Sequence, residues 1–174
     1  MLCFVAVRIT QTRTEKRNLF GQKQHELREE REIGVGENSG PSHKDNHSKS
    51  VTDFVDVIKV ARAQFIQLQT RCIEESRSNP LPSTIQDALK LVTIPFFHVI
   101  GGRIRFYLLT QLNGDVYGMW GWSAERLPTK DTDVADVALL CKSFLIHRNL
   151  LNRAGHLSER AIMKAKLSQM SPWN

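Results

Sequence analysis

Apolar residues recur at helical spacing from Val51 to about Glu75: Val51, Phe54, Val55, Ile58, Ala61, Phe65, Leu68, Cys72 and Ile73. Steps of three and four place them on one face, so the stretch predicts a long amphipathic helix. Ser50 followed by Asp53 has the form of a capping box, with Asp in place of Glu. Pro80 and Pro82, in "SNPLPS", stop the helix, because proline has no N–H and clashes with the preceding turn. Residues 84–91, "TIQDALKL", add a short helix.

The pattern then changes to strands. "IPFFHVIG" (94–101), "RIRFYLLTQL" (103–112) and "DVYGMWGWS" (115–123) are three candidates. The second alternates Ile104, Phe106 and Leu108 with Arg103, Arg105 and Tyr107, the period of a half-buried strand. Asn113-Gly114 marks a hairpin between the last two, and Gly101-Gly102 turns the first into the second. A three-stranded antiparallel meander follows. Next, "LPTKDTD" leads into a helix over about 132–152, with Val134, Val137, Ala138, Cys141, Phe144, Leu145 and Leu150 as its buried stripe. Gly155 sits where a helix C-terminal glycine belongs. Residues 158–169 form a last, weakly amphipathic helix.

Upstream of the long helix, "REIGVGE" (31–37) reads as a strand in which Ile33 and Val35 alternate with Gly34 and Gly36. The glycines weaken it but let another backbone approach closely. "NSGP" opens a loop over 38–49. "LCFVAVRIT" (2–10) reads as a short strand. The polar, charge-dense residues 11–31 form a linker or an exposed helix with little to bury. The expected order β–α–β–β–β–α–α makes an α+β (α/β-like) fold: a small mixed sheet with a three-stranded antiparallel meander, packed by two main helices. The expected division is a weakly packed segment at 1–30, one domain at 31–153, and a C-terminal helix and tail at 154–174.

Composition adjusts this picture only slightly. The 174 residues are 41% hydrophobic and 24% charged, a globular balance with room for a single core. The formal net charge is +6, which favours anionic partners such as nucleic acid, although bases and acids are interleaved along the chain. Cys3, Cys72 and Cys141 are odd in number and far apart, so neither a disulfide framework nor a cysteine zinc site is indicated. A reducing, intracellular compartment is the expectation. No apolar run approaches the roughly 18 residues of a membrane span, so a soluble protein without a membrane partner is expected.

One segment raises a chemical question. "REIGVGENSG", a loop lysine, and "DFVDVIKVAR" on the long helix resemble a pattern in uncharacterised proteins of mucoromycete fungi. "PFFHVIGGRIRFYLL", "NGDVYGMW" and "LP" before a helix fit the same layout, so the resemblance spans roughly residues 31–152. Those proteins are similar to the restriction-endonuclease-like fold with its PD-(D/E)XK site. The resemblance implies Mg²⁺ held by acids on neighbouring strands and a lysine two residues beyond the second acid. Oxygen ligands suit Mg²⁺, which activates water and steadies the leaving oxygen. Carried over, the acids and metal ligands are Glu32 and Glu37. Gly34 and Ser39 stand where the lysine belongs, so Lys59, one turn after Asp56, takes that role, with Lys49 as runner-up. An acid-bearing strand before Glu32 is missing, and the resemblance implies an N-terminally shortened copy.

Other constellations are weaker. His43, Asp45 and His47 fall in a polar loop beside Pro41, where solvation is favoured over zinc. His98 reads as a satisfied strand-face histidine. Tyr107, Tyr117, Trp120 and Trp122, with Arg103 and Arg105 on one hairpin, can stack bases but are favoured as cross-strand packing. Gly34, Gly36 and Gly40 have the wrong spacing for a dinucleotide-binding loop, and no nucleophile elbow or phosphate-binding lysine loop is present. Three readings remain. The first is a nuclease-like fold with an incomplete metal site that binds nucleic acid through Lys49, Arg62, Arg103 and Arg105 and needs no cofactor. The second is a working Mg²⁺-dependent nuclease using Glu32, Glu37 and Lys59. The third is a protein-interaction module.

Overall fold

The computed structural model describes the backbone of residues 3–9, 31–38, 47–129 and 134–170, and side chains within 51–129 and 134–170. The expected linker at 11–31 falls almost wholly outside the described residues, as do His43, Asp45 and the "NSGP" turn.

Strands β1 (Cys3–Ile9), β2 (Arg31–Asn38), β3 (Thr93–Ile100), β4 (Arg103–Asn113) and β5 (Val116–Arg126) form one sheet in chain order. β1 pairs antiparallel with β2, and β2 runs parallel to β3. β3, β4 and β5 form the antiparallel meander. The fold is therefore α+β with a small mixed sheet. The parallel β2/β3 pair needs a crossover, supplied by helices α1 (His47–Ser76) and α2 (Ser83–Lys90). Helix α3 (Val134–Met170) follows the sheet.

Gly101 and Gly102, with φ of 56° and 71°, make the β3–β4 turn, and Gly114, with φ of 52°, makes the β4–β5 turn. Only glycine takes this left-handed region at no steric cost. α1 stops at Arg77, whose φ of 48° is the left-handed conformation common just past a helix end. At the other end α1 begins at His47, so Ser50 lies inside the helix and the expected capping box does not form. Asp53 is carried onto the inner face instead.

The sheet buries both faces of its centre. On one face Phe96, Ile94 and Leu109 meet Val57, Ala61, Phe65, Leu68 and Cys72 of α1, and Ile85, Ala88 and Leu89 of α2. On the other, Phe106 meets Phe97, Trp122, Phe144 and His147, with ring centroids 5.1–6.1 Å apart. The aromatics of the meander mostly serve packing. Tyr107 stacks on Phe96 at 5.2 Å, and Tyr117 meets Phe65 edge-on at 5.8 Å. Trp120 remains exposed.

α3 departs from expectation twice. It runs unbroken through Gly155, which is buried in its interior. Residues 156–170 contain no proline and many good helix formers, so nothing stops the helix there. The expected boundary after residue 153 thus falls inside one helix. Ala161, Ile162 and Ala165 beyond it belong to the main core.

The buried stripe also differs. Val134, Val137 and Leu145 are exposed, as are Ala138 and Cys141. The inner face is Ser143, His147, Leu151, Ala154, Ser158, Ala161 and Ala165. These too are spaced by three and four, but most are small or polar. Small residues let helices pack closely, and a count of large apolar positions overlooks them.

Among the described residues no helix is long and apolar enough to cross a membrane.

Candidate functional site

Two features share one end of the sheet, where β2 and β3 finish, β4 begins and β5 ends. Crevices at the carboxyl ends of parallel strands are common ligand sites in open α/β sheets.

The first feature is a group of arginines. Arg103 of β4 pairs directly with Arg126 of β5, and Arg105 lies two positions along on the same face. All three are exposed, and none forms an ion pair among the described residues. The N–H of Leu127 donates to the carbonyl of Gly102 at 2.8 Å and clasps this end of the sheet. Like charges directly opposite each other weaken a sheet. An anion seated across them reverses that sign.

The second feature is an acid–imidazole pair beneath the arginines. His98 of β3 faces α1, 3% exposed, with its ring 5.5 Å from that of Phe54. Asp53, the residue before Phe54 on α1, is 6% exposed, and its Oδ2 has no hydrogen-bond partner. Burial holds the His98 imidazole below its ordinary pKa. The Asp53 charge opposes that shift, and Arg105, paired with His98 across β3 and β4, adds to it.

The residues expected to form a metal site separate. Glu32 and Glu37 lie five positions apart in β2, about 16 Å along the strand and on opposite faces by alternation. β1 and β3 flank β2, and neither "CFVAVRI" nor "TIPFFHVI" contains an acid. The acid-bearing neighbour that a PD-(D/E)XK site requires is therefore not beside Glu32–Glu37. Lys59 lies on the solvent side of α1, its side chain 70% exposed, paired with Asp56 at 2.9 Å. Along the backbone, Glu32 and Glu37 thus occupy opposite ends of one strand, while Lys59 is engaged with Asp56. Glu37 pairs with His98 in the parallel ladder.

The expected basic residues also divide. Arg103 and Arg105 come together. Arg62 lies over the Tyr117 ring at 5.4 Å and 3.9 Å from Asp115, near the β4–β5 turn. Lys49 is in the first turn of α1. Neither Arg126 nor Asp53 stands out as a site residue in the sequence. Arg126 had no motif, and its only signal is strand register. Asp53 sat at a position that spacing assigned to a helix cap.

The opposite face carries a polar cluster of a different kind. Ser143 Oγ donates to Glu125 Oε1 at 2.7 Å, and Ser123 Oγ donates to the same oxygen. These bonds fasten α3 to β5 and hold the Glu125 carboxyl below its ordinary pKa.

No family model, no curated protein and no solved structure matches the chain.

Proposed function

We propose that this domain is a nuclease-like α+β fold with an incomplete catalytic site, and that it binds nucleic acid through its phosphates. The observation that carries the reading is the exposed, unneutralised arginine group of Arg103, Arg105 and Arg126 at the strand ends. Guanidinium groups match phosphate geometry with paired N–H donors. The excess of 24 Lys and Arg over 18 Asp and Glu supplies a weak long-range attraction in the same sense. The spacing of Glu32 and Glu37 along β2 and the Lys59–Asp56 ion pair favour binding over Mg²⁺-dependent cleavage by those three.

Phosphate contacts release counterions, so affinity must fall steeply with salt. Fluorescence anisotropy with a labelled duplex, in the presence of EDTA, measures this. Replacing Arg103, Arg105 and Arg126 together by glutamine is expected to reduce the log–log salt slope by about 2–3 and weaken binding about 100-fold near 0.1 M salt. Arg62→Gln is expected to change affinity less than about threefold, since its guanidinium already meets Asp115 and Tyr117. Wild-type binding that ignores salt, or a triple variant that binds like wild type, defeats the reading.

A protein-interaction module is the second reading, favoured by one observation: α3 exposes Val134, Val137, Leu139, Phe144, Leu145 and Ile146 within four turns. Exposed apolar patches of this kind mark interaction surfaces. If the domain self-associates through them, sedimentation velocity shows a concentration-dependent species that Leu145→Glu removes. A monomer at every concentration excludes self-association.

A further inference from the structure

We infer that the group of Arg103, Arg105 and Arg126 is a socket for the terminal phosphate monoester of a nucleic-acid strand, rather than a track along its backbone. The inference rests on the phosphate-binding reading above and narrows it to strand ends.

The group is compact. Arg103 stands directly opposite Arg126 on the neighbouring strand, and Arg105 is two positions along β4, so all three share one face of the sheet. Opposite positions lie about 5 Å apart and diagonal ones about 7–8 Å. Side chains as long as arginine can converge on one anion from such roots. All three are exposed, and among the described residues none has an ion-pair partner. Lys59, Arg71 and Lys90, by contrast, each meet a carboxylate at 2.9–3.0 Å.

The group is also one-sided. Arg105 is the cross-strand partner of His98 and lies two positions from Tyr107 on β4. The Phe54 ring of α1 is 5.5 Å from His98 and 5.1 Å from Tyr107, so α1 closes the inward side. Asp53, buried on α1 and near enough to act on the charge of His98, repels an anion from the β3 side. The remaining approach is over the strand ends, where β4 begins and β5 finishes. A chain end can enter such a step, whereas a continuous backbone must also leave it.

The ligand chemistry matches. An internal phosphodiester offers a single negative charge. A terminal monoester carries about −1.5 to −2 at pH 7 and three strong acceptor oxygens. Three guanidiniums with paired N–H donors suit three oxygens and a dianion.

The test uses the full chain and one internally labelled duplex made in three forms: with 5′-phosphate, with 3′-phosphate, and with hydroxyls at every end. Binding is read by fluorescence anisotropy in EDTA. One phosphorylated form is expected to bind at least about tenfold tighter than the hydroxyl form, with a log–log salt slope steeper by about 1. Replacing Arg103, Arg105 and Arg126 together by glutamine is expected to erase that preference. Lys90→Gln, on α2, is expected to keep it. Circular dichroism and urea midpoints check that each variant is folded. Equal affinity for all three forms overturns the inference, and if that affinity still falls with salt, backbone binding itself survives. Absence of binding to any form defeats both. A preference retained by the folded triple variant also overturns the inference. So does a phosphoserine peptide that binds as tightly as the phosphorylated duplex, which makes the partner a protein.

Discussion

Phe106→Ala is expected to destabilise the domain by about 3–5 kcal/mol. Phe106 is fully buried and lies between the sheet and α3, touching Phe97 and Trp122 on one side and Phe144 and His147 on the other. Removing its ring deletes the transfer free energy of an aromatic side chain and leaves a cavity. Neighbouring rings anchored on two strands and a helix fill such a cavity only in part. A domain of this size has about 5–15 kcal/mol to lose, so the variant loses a large share of its stability. The urea midpoint should fall sharply with little change in the slope. Phe106→Leu keeps most of the volume and should cost well under half as much. A loss below about 1 kcal/mol for Phe106→Ala would mean that α3 does not seal this face.

The second large effect is acid instability centred on His147. This side chain is 3% exposed, and its Nδ1 has no hydrogen-bond partner. Burial alone pushes its pKa down from 6.5 to about 4. The folded state therefore prefers the neutral ring, while the unfolded chain takes up a proton as pH falls below about 6.5. Stability from this group is complete above the unfolded value and is lost progressively as pH falls towards about 4. The full effect is about 3 kcal/mol at most. His98, also shifted downward by burial, contributes in the same direction. Urea unfolding at several pH values should show wild-type stability declining through this window. His147→Leu should flatten the decline and leave a smaller one from His98. An unchanged pH slope in His147→Leu would place the acid sensitivity elsewhere.

Both effects arise on a face of the sheet that local pattern described poorly. Where each residue's role follows from its neighbours in the chain, local pattern and structure agree. The alternation of Ile104 and Phe106 with Arg103 and Arg105, the Asn113-Gly114 turn and the Gly101-Gly102 turn specified the meander. The steps of three and four specified α1 and most of its inner face, although Val51 and Val55 of that stripe are exposed and the fully buried Val57 lies outside it. Proline chemistry marked the region of its end. For α3, periodicity in the large apolar residues points to the wrong face. Val134, Val137 and Leu145 satisfied that test and lie in solvent. Ala154, Ser158, Ala161 and Ala165 form the true contact, because helices approach most closely through small side chains.

The candidate sites divide in the same way. Arg103 and Arg105 were legible as a basic pair on one strand face. Arg126, more than twenty residues later, joins them only because β5 pairs with β4 in one particular register. The proximity of Glu37 to His98 depends on the parallel β2/β3 pairing, across a crossover of two helices. The placing of Asp53 near His98 depends on how α1 packs across the sheet. The sequence by itself determined the element types, the meander and the basic face of β4, since propensity, period and turn chemistry act over a few residues. The sheet order, the inner face of α3 and the placing of Asp53 near His98 were decided only by tertiary structure, since they follow from packing between segments that no local rule relates.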